Sequence, residues 1–151
     1  MKVIIGADHT GFELKDQVVE YIKEKGIEVI DNGNLFDAKD DYPDIAYELC
    51  SKVANGTFDK GILICGSGIG MSIAANKVNG IRCGVCNEEY LIEMARKDND
   101  INVLSIGARV IDFQKAKKII DLFLETEFLG ERHLRRVEKI GQIEQKMKEG
   151  K

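Results

Sequence analysis

Five short apolar runs alternate with helix-like segments along this chain, and that alternation constrains the fold more than any other feature. The runs are KVIIGA (2–7), IEVI (27–30), KGILIC (60–65), IRCGV (81–85) and NVLSIG (102–107). Because helix-sized segments separate them, the connections predict right-handed crossovers between parallel strands. Near-continuous apolar strands are typical of a sheet covered on both faces. We therefore predict one doubly wound, Rossmann-like, three-layer α/β domain over residues 1–151, with a five-stranded parallel sheet.

Local sequence signals predict where the intervening helices begin and end. Thr10 and Asp112 are predicted N-caps, Gly26 is a predicted stop, and Pro43 suits the first turn of a helix. The expected limits are Thr10 to Gly26, Pro43 to Asn55, Ile69 to Lys77, Asn87 to Lys97, and Asp112 to Glu125. A polar loop is expected between Asp31 and Tyr42.

A charged C-terminal helix is predicted from Glu131 to Lys148. It carries a narrow apolar stripe made of Leu134, Val137, Ile140, Ile143 and Met147. Such a stripe fits a last helix packed on its own domain, and it equally fits an arm laid across a partner subunit. We expect this helix to form an arm that lies on a partner subunit.

The charge balance limits the partners of the chain. It has 22 Lys and Arg against 26 Asp and Glu, a net charge of −4, and no basic patch. Nucleic acid and membrane surfaces are therefore not expected as partners. The apolar runs are strand-sized and Met1 opens directly onto one, so we expect no signal peptide, no membrane span and a cytoplasmic location.

The four cysteines are expected to be free thiols in a reducing compartment. Cys83 and Cys86 form a C-x-x-C inside a predicted strand, so their side chains should point to opposite faces of the sheet. A redox C-x-x-C normally opens a helix, and a zinc site needs a second pair of ligands. We expect buried structural thiols here, and no metal or cofactor.

Two polar loops follow the first and third strands, ADHTG at 7–11 and CGSGIG at 65–70. Ligands of doubly wound sheets bind at the carboxyl ends of the strands, where the winding reverses direction. If the first and third strands flank that point, the two loops meet there and form a site.

The glycine-rich loop fails three familiar tests. The dinucleotide fingerprint G-x-G-x-x-G follows the first strand, but here G-x-G-x-G follows the third and Met71 replaces the last glycine. A Walker loop needs Lys before Ser or Thr, which is missing. A cysteine phosphatase needs Arg six residues after Cys65, where Met71 again stands, so nothing clamps a phosphoryl group.

What remains is a thiol at a strand end beside exposed amides. The amides and a helix N-terminus favour the thiolate of Cys65, and the same amides suit a developing oxyanion. A thiolate base beside an oxyanion hole is suited to removing a proton α to a carbonyl. The alternative is an inert strand-end cysteine before a helix that needs glycines only for packing.

Several segments resemble the ribose-5-phosphate isomerase type B family, which also includes galactose-6-phosphate isomerase subunits. They are GADHTGFELK, DYPD, GILICGSGIGMSIAANKVNGIR, NDINVLSIGARV and GERHLRRVEKI, in order from Met1 to about Lys146. The resemblance implies metal-free aldose–ketose isomerisation of a sugar phosphate through a cis-enediolate, in a homodimer or homotetramer with shared active sites.

The resemblance also implies roles for residues. Cys65 would move the proton between C1 and C2. The enediolate would be stabilised by Ser67 and by the amides of Gly66, Ser67, Gly68, Ile69 and Gly70. Sugar hydroxyls would be bound by Asp8 and Tyr42. The phosphate would be bound by His9, Arg109, Arg132 and Arg136, in part from a neighbouring subunit, while Asn99 completes the substrate-binding set. His133 is expected to be structural.

One position departs from the family pattern. Pentose isomerases of this type usually have His before Asn99 as the acid that opens the furanose ring, and this chain has Asp98. Asp98 opens the ring of ribose 5-phosphate if its surroundings favour the protonated carboxyl, to which nearby Asp100 would contribute. A tetrose 4-phosphate needs no ring opening, and a hexose 6-phosphate such as allose or galactose 6-phosphate is a third candidate. The non-enzymatic alternative is a module that only binds sugar phosphates.

Overall fold

The computed structural model describes residues 1–32 and 39–151. Its strands are β1 (Lys2–Ala7), β2 (Glu28–Asp31), β3 (Lys60–Cys65), β4 (Cys83–Val85) and β5 (Val103–Gly107). Its helices are α1 (Phe12–Glu24), α2 (Tyr42–Ala54), α3 (Ile69–Ala75), α4 (Glu89–Asn99), α5 (Phe113–Glu125) and α6 (Arg132–Lys148). The centre of the predicted polar loop, residues 33–38, lies outside the described residues.

All five strands pair in parallel, in the order β2-β1-β3-β5-β4. Ile5 stands opposite Ile62 and Ile64 opposite Ile106, so the central strands are in apolar register. The predicted five-stranded parallel sheet is confirmed. The winding reverses between β1 and β3, as the predicted location of the site requires.

Helices cover both faces of the sheet. One core cluster joins β1, β3 and β5 to α1, α4 and α5, with Val18, Ile92 and Phe123 fully buried. The other packs α2 and α3 on the opposite face, around Leu49, Leu63 and Met71. Burial of this apolar area is the main favourable term in folding, and the three-layer prediction is confirmed.

Several predicted helix and strand limits are wrong by one or two residues. Gly11, not Thr10, is the N-cap of α1, because the Thr10 hydroxyl donates to Asp8 instead. The third helix ends at Ala75 rather than Lys77. The cap of α5 is confirmed, since the Asp112 side chain accepts from Lys115 N–H at 2.8 Å.

The C-x-x-C residues point to opposite faces, as predicted. Cys86 is buried among the side chains on the α4 and α5 face, whereas Cys83 packs against the α2 and α3 face. Both are free thiols. Among the described residues, no group of three or more His, Cys, Asp or Glu side chains is placed to hold a metal ion.

Helix α6 lies largely in solvent. His133 is its only buried residue, whereas Leu134, Ile140, Ile143 and Met147 of the predicted stripe are between 40% and 72% exposed. Its contacts with the rest of the chain include the Glu144 carboxylate, which accepts from the Gly80 N–H. Val137 is half-buried, and the rest of the stripe is left uncovered within one chain. In the described part of the chain, no helix has the length and apolarity needed to cross a membrane.

Candidate active site

The loops after β1, β3 and β5 meet at the carboxyl ends of the strands. Asp8 N–H donates to the Ile64 carbonyl at 3.2 Å, and Ala108 N–H donates to the Cys65 carbonyl at 2.8 Å. They enclose a cavity of about 390 Å³. The cavity is lined by Asp8, Thr10, Tyr42, Cys65, Gly66, Ser67, Gly70, Arg109 and Val110. The predicted meeting of the first two loops is confirmed.

Larger depressions, of about 530 and 840 Å³, lie elsewhere on the surface. One runs between α1 and α5, and the other between α2 and α3. Neither contains Cys65 or a loop at the carboxyl end of a strand. Convergent polar groups, rather than volume, identify the functional cavity.

Cys65 ends β3 with its side chain 6% exposed toward the cavity. Its sulfur accepts a hydrogen bond from the Gly68 N–H at 3.2 Å. Gly68 has a φ of +86°, a left-handed conformation that glycine adopts without strain. This turn brings the peptide N–H back onto the sulfur that precedes it by three residues.

Two of the amides implied for the enediolate are already used within the loop. The Gly68 N–H meets the Cys65 sulfur, and the Ile69 N–H donates to the Ser67 hydroxyl oxygen at 3.2 Å. In this structure these two amides therefore bond within the loop, and their role toward the enediolate stays a prediction. The Ser67 oxygen accepts that bond, which leaves its own O–H available as a donor.

Close approach explains the glycines that line the cavity. A Cβ at Gly70 would lie 2.8 Å from the Tyr42 ring, and one at Gly66 would lie 3.3 Å from an Arg109 guanidinium nitrogen. Small residues here let the phenol and the guanidinium lie directly against the loop. The glycine segment therefore shapes a floor, and Tyr42 and Arg109 form its walls.

Asp8 is the carboxylate of the cavity lining, and it is 7% exposed. Its Oδ1 accepts from the Thr10 N–H at 2.9 Å and from the Thr10 hydroxyl at 2.5 Å. These bonds fix the carboxylate at the cavity edge. His9 does not line the cavity, and its buried Nδ1 has no hydrogen-bond partner in the described chain.

The remaining predicted residues lie beside the amino ends of the strands, on the side of the sheet away from the cavity. They are Asp98, Asn99, Arg132 and Arg136. Helix α4 runs back from the carboxyl end of β4, so it ends beside the amino ends of the strands. The Arg82 Nε, just before β4, donates to the Asn99 carbonyl at 3.1 Å. The Leu129 N–H donates to the Lys97 carbonyl at 3.1 Å, which places the start of α6 there too. One chain therefore does not bring Asp98, Asn99, Arg132 or Arg136 to Cys65.

His133 was expected to be only structural, but it contacts Asp98. Its Nε2 lies 3.3 Å from Asp98 Oδ1, within ion-pair distance but without the alignment of a hydrogen bond. The imidazole is buried and the carboxylate is half exposed. Sequence spacing gave no signal for this pair, because α4 and α6 are brought together only by the fold.

Asn87 and Ser105 were also missed. Asn87, predicted only as a helix start, precedes α4 and bonds with its side chain to Ser67 and Gly107. Ser105, a lone hydroxyl in the apolar run of β5, is fully buried and donates to the Gly68 carbonyl at 2.6 Å. The available signal was a hydroxyl inside a buried strand for Ser105, and a polar residue two positions after a strand for Asn87.

Taken together, the doubly wound sheet and its cavity define an α/β enzyme with a thiol, a carboxylate and a guanidinium around a glycine loop. Comparison with known proteins gives the family. Residues 3–140 match the model of the Ribose/Galactose Isomerase family, so the chain belongs to that family. The protein is an isomerase.

Two relatives and one solved structure illustrate the similarity. Ribose-5-phosphate isomerase B of Escherichia coli strain K12 is 48% identical over 145 residues, 96% of this chain and 97% of its own length. D-erythrulose-4-phosphate isomerase of Pectobacterium atrosepticum is 42% identical, with 98% of each chain covered. The structure of Clostridium thermocellum ribose-5-phosphate isomerase B superposes with a TM-score of 0.95 at 47% identity, covering 97% of this chain and 99% of that one.

Proposed function

We propose that the protein interconverts ribose 5-phosphate and ribulose 5-phosphate through a cis-enediolate, with Cys65 as the base. The observation that carries this proposal is the Cys65 sulfur, which lines the cavity and accepts the Gly68 N–H at 3.2 Å. A hydrogen bond donated to sulfur favours the thiolate over the thiol. The similarity to ribose-5-phosphate isomerase B, at 48% identity over nearly the whole chain, supports the substrate.

The chemistry needs one base and one set of donors. The thiolate removes the proton from C2 of the open-chain aldose, and the C2–H electrons form the C1–C2 double bond as charge moves onto O1. The thiol then returns a proton to C1, while a proton passes from O2 to O1, which gives the ketose. The Ser67 hydroxyl stabilises the charged oxygen, and Asp8 and Tyr42 bind sugar hydroxyls.

A second copy of the chain completes the site. Arg109 is at the cavity, but Arg132 and Arg136 lie beside the amino ends of the strands. The two are four residues apart on an exposed face of α6. A phosphate dianion is best held by several guanidinium groups. The exposed stripe of α6 lies on the partner subunit, at least as a homodimer, and brings these arginines to the partner's cavity.

Ring opening uses the group around Asp98. Its contact with His133, whose Nε2 lies 3.3 Å from Asp98 Oδ1, places a carboxylate and an imidazole side by side. The pair reaches the substrate of the partner's cavity together with Asn99. His133 thereby supplies the imidazole that the Asp98 position lacks.

A tetrose 4-phosphate is the second candidate substrate. The absence of histidine at position 98 favours it, because a tetrose 4-phosphate cannot close a furanose ring. The Pectobacterium relative named D-erythrulose-4-phosphate isomerase supports it as well. A hexose 6-phosphate is the third candidate. The four free cysteines fit a reducing, cytoplasmic compartment for any of these activities.

The first experiment incubates the protein separately with ribose 5-phosphate, a tetrose 4-phosphate, allose 6-phosphate and galactose 6-phosphate in D₂O. Ketose formation is followed by NMR. We expect turnover of ribose 5-phosphate with solvent deuterium at C1 of the ketose. Cys65→Ala should lower kcat by about 10²–10⁴-fold, since it removes the base. Turnover of another sugar phosphate alone would keep the mechanism and change the substrate.

A matched control is Cys83→Ala, which removes a half-buried thiol outside the cavity. Its turnover should stay within a few-fold of the parent protein. Full activity of Cys65→Ala would exclude the cysteine base. Absence of turnover on all four sugars in the parent protein would mean that its substrate is a different sugar phosphate.

The substitution Asp98→His tests the ring-opening assignment. If ring opening limits turnover, the variant should convert ribose 5-phosphate several-fold faster and leave the tetrose rate unchanged. Asp16→His, on the exposed side of α1, is the control for adding an imidazole elsewhere. Equal rates for parent and variant on both sugars would remove position 98 from the mechanism.

A further inference from the structure

The Asn87 side chain bridges two loops that form the cavity. It follows β4, reaches past the end of β5, and contacts the glycine loop that follows β3. The Gly107 N–H donates to Asn87 Oδ1 at 2.9 Å, and Asn87 Nδ2 donates to the Ser67 carbonyl at 3.2 Å. The first bond fixes the orientation of the amide, because a backbone N–H requires the oxygen as its acceptor. The NH₂ group must then face Ser67.

The peptide that Asn87 holds is the one that contacts the thiol. The Ser67–Gly68 peptide accepts from Asn87 at its carbonyl, and its N–H donates to the Cys65 sulfur at 3.2 Å. A peptide that accepts a hydrogen bond at its oxygen becomes a stronger donor at its nitrogen. The chain of bonds therefore runs from Gly107 through Asn87 to the sulfur of Cys65.

The rest of the loop leaves this peptide little freedom to turn. The buried Ser105 hydroxyl donates to the Gly68 carbonyl at 2.6 Å, which anchors the next peptide. A Cβ at Gly107 would lie 2.7 Å from the Ser67 backbone, so β5 packs directly against the loop. Asn87 is the member of this arrangement whose side chain can be changed without altering a strand.

We infer that Asn87 is a positioning residue, which holds the Ser67–Gly68 N–H on the Cys65 sulfur and so sustains the thiolate during isomerisation. The inference rests on the proposed function of Cys65 as the base. The other ionisable groups that line the cavity with the sulfur are Asp8, Tyr42 and Arg109. They are unchanged in each variant below, and Asn87→Ala adds no charge, so a change in thiol behaviour in Asn87→Ala reports the loss of the bridge. Asn87→Asp also adds a carboxylate near the sulfur, so its effect is read together with that of Asn87→Ala.

The test uses Asn87→Asp and Asn87→Ala. The aspartate is isosteric and keeps an acceptor for Gly107, but it replaces the donor to Ser67 with a second acceptor. Alkylation of Cys65 by iodoacetamide is measured from pH 5 to 10 by mass spectrometry of the Cys65 peptide. In both variants Cys65 should be alkylated several-fold more slowly than in the parent protein at the same pH, which displaces the profile. The kcat should fall about tenfold or more, and KM should change by less than about threefold.

Asn102→Ala is the matched control. Its side chain also bridges two backbone groups, accepting from the Arg82 N–H and donating to the Gly80 carbonyl, each at 2.8 Å, but at the amino edge of the sheet. This variant should lose comparable stability and leave the Cys65 profile unchanged. Circular dichroism and the Tm of all variants show that the fold is retained.

The outcomes separate the two proposals. An unchanged Cys65 profile in both folded Asn87 variants overturns the positioning role, and so does a shifted profile with an unchanged kcat. An equal shift in Asn102→Ala overturns it too, because the effect would then follow stability. Turnover that survives Cys65→Ala overturns the proposed base instead. In that case the alkylation of Cys65 in the Asn87 variants still decides whether Asn87 acts on the thiol.

Discussion

Loss of hydration affects three of the four cysteines, Cys50, Cys83 and Cys86. It raises the pKa of Cys50 to about 12, of Cys83 to about 12 and of Cys86 to about 11. Cys65 differs, since it lines the cavity and its sulfur already accepts an N–H. A thiol must ionise before it reacts with an alkylating agent.

Native protein at pH 8 should therefore take up one carbamidomethyl group from iodoacetamide, on Cys65. In urea all four cysteines should be labelled, because unfolding removes the burial that suppresses ionisation. Intact-mass spectrometry counts the groups, and digestion locates them. Cys65→Ala should take up none in the native state, while rapid native labelling of Cys83 would contradict the prediction.

The same shifts set a trend of stability with pH. These three thiols keep their protons in the folded chain but ionise near pH 9 once unfolded, so the folded state binds more protons above that pH. Their contribution to the free energy of unfolding is full below about pH 9 and falls as the pH rises toward 11 and 12.

At the scale of the elements, the sequence predicted the buried strands well. β1 and β3 have the predicted bounds, because each apolar run ends abruptly at a polar residue or a glycine. Two of the limits that were wrong depend on bonds to other elements. β4 begins only at Cys83, since the Arg82 N–H is occupied by the side chain of Asn102, twenty residues away. α3 ends before Asn76, whose side chain bonds the backbone of Cys83.

The site was predictable to the same extent. Loops after β1 and β3 meet because they follow neighbouring parallel strands, and the strand pattern contains that information. The bridge from Asn87 to Ser67 is different, since it depends on β4 lying at the sheet edge beside β5. Strand order beyond the first crossovers is not written in any local pattern, so neither this bridge nor the contact of His133 with Asp98 could be predicted.

At the scale of the whole molecule, the two groups of candidate residues lie at opposite ends of the strands. Cys65 and Asp8 follow the carboxyl ends of strands, whereas Asp98 and the arginines of α6 lie beside the amino ends. The carboxyl and amino ends of parallel strands lie on opposite sides of the sheet, so one chain does not bring the two groups of candidate residues together. Under the proposed dimer, each site combines the first group of one subunit, its thiol half, with the second group of its partner.

Subunit mixing tests this arrangement. Cys65→Ala and the double variant Arg132→Ala, Arg136→Ala should each lose nearly all activity when pure. Co-refolded in equal amounts, they should form mixed dimers in which one site combines an intact thiol half with intact arginines. Half of the dimers are mixed and one of their two sites is intact, so about a quarter of the parent activity should return.

The control mixes Cys65→Ala with Asp8→Asn, two defects in the same half of the site. Every site in such mixed dimers has a damaged thiol half, so no activity should return. Sedimentation of both mixtures verifies that dimers form, which keeps a failure of assembly distinct from a failure to complement. Equal recovery in both mixtures, or none in either despite dimer formation, would mean that the arginines of α6 do not complete the partner's cavity. Recovery confined to the first mixture requires that the two halves come from different chains.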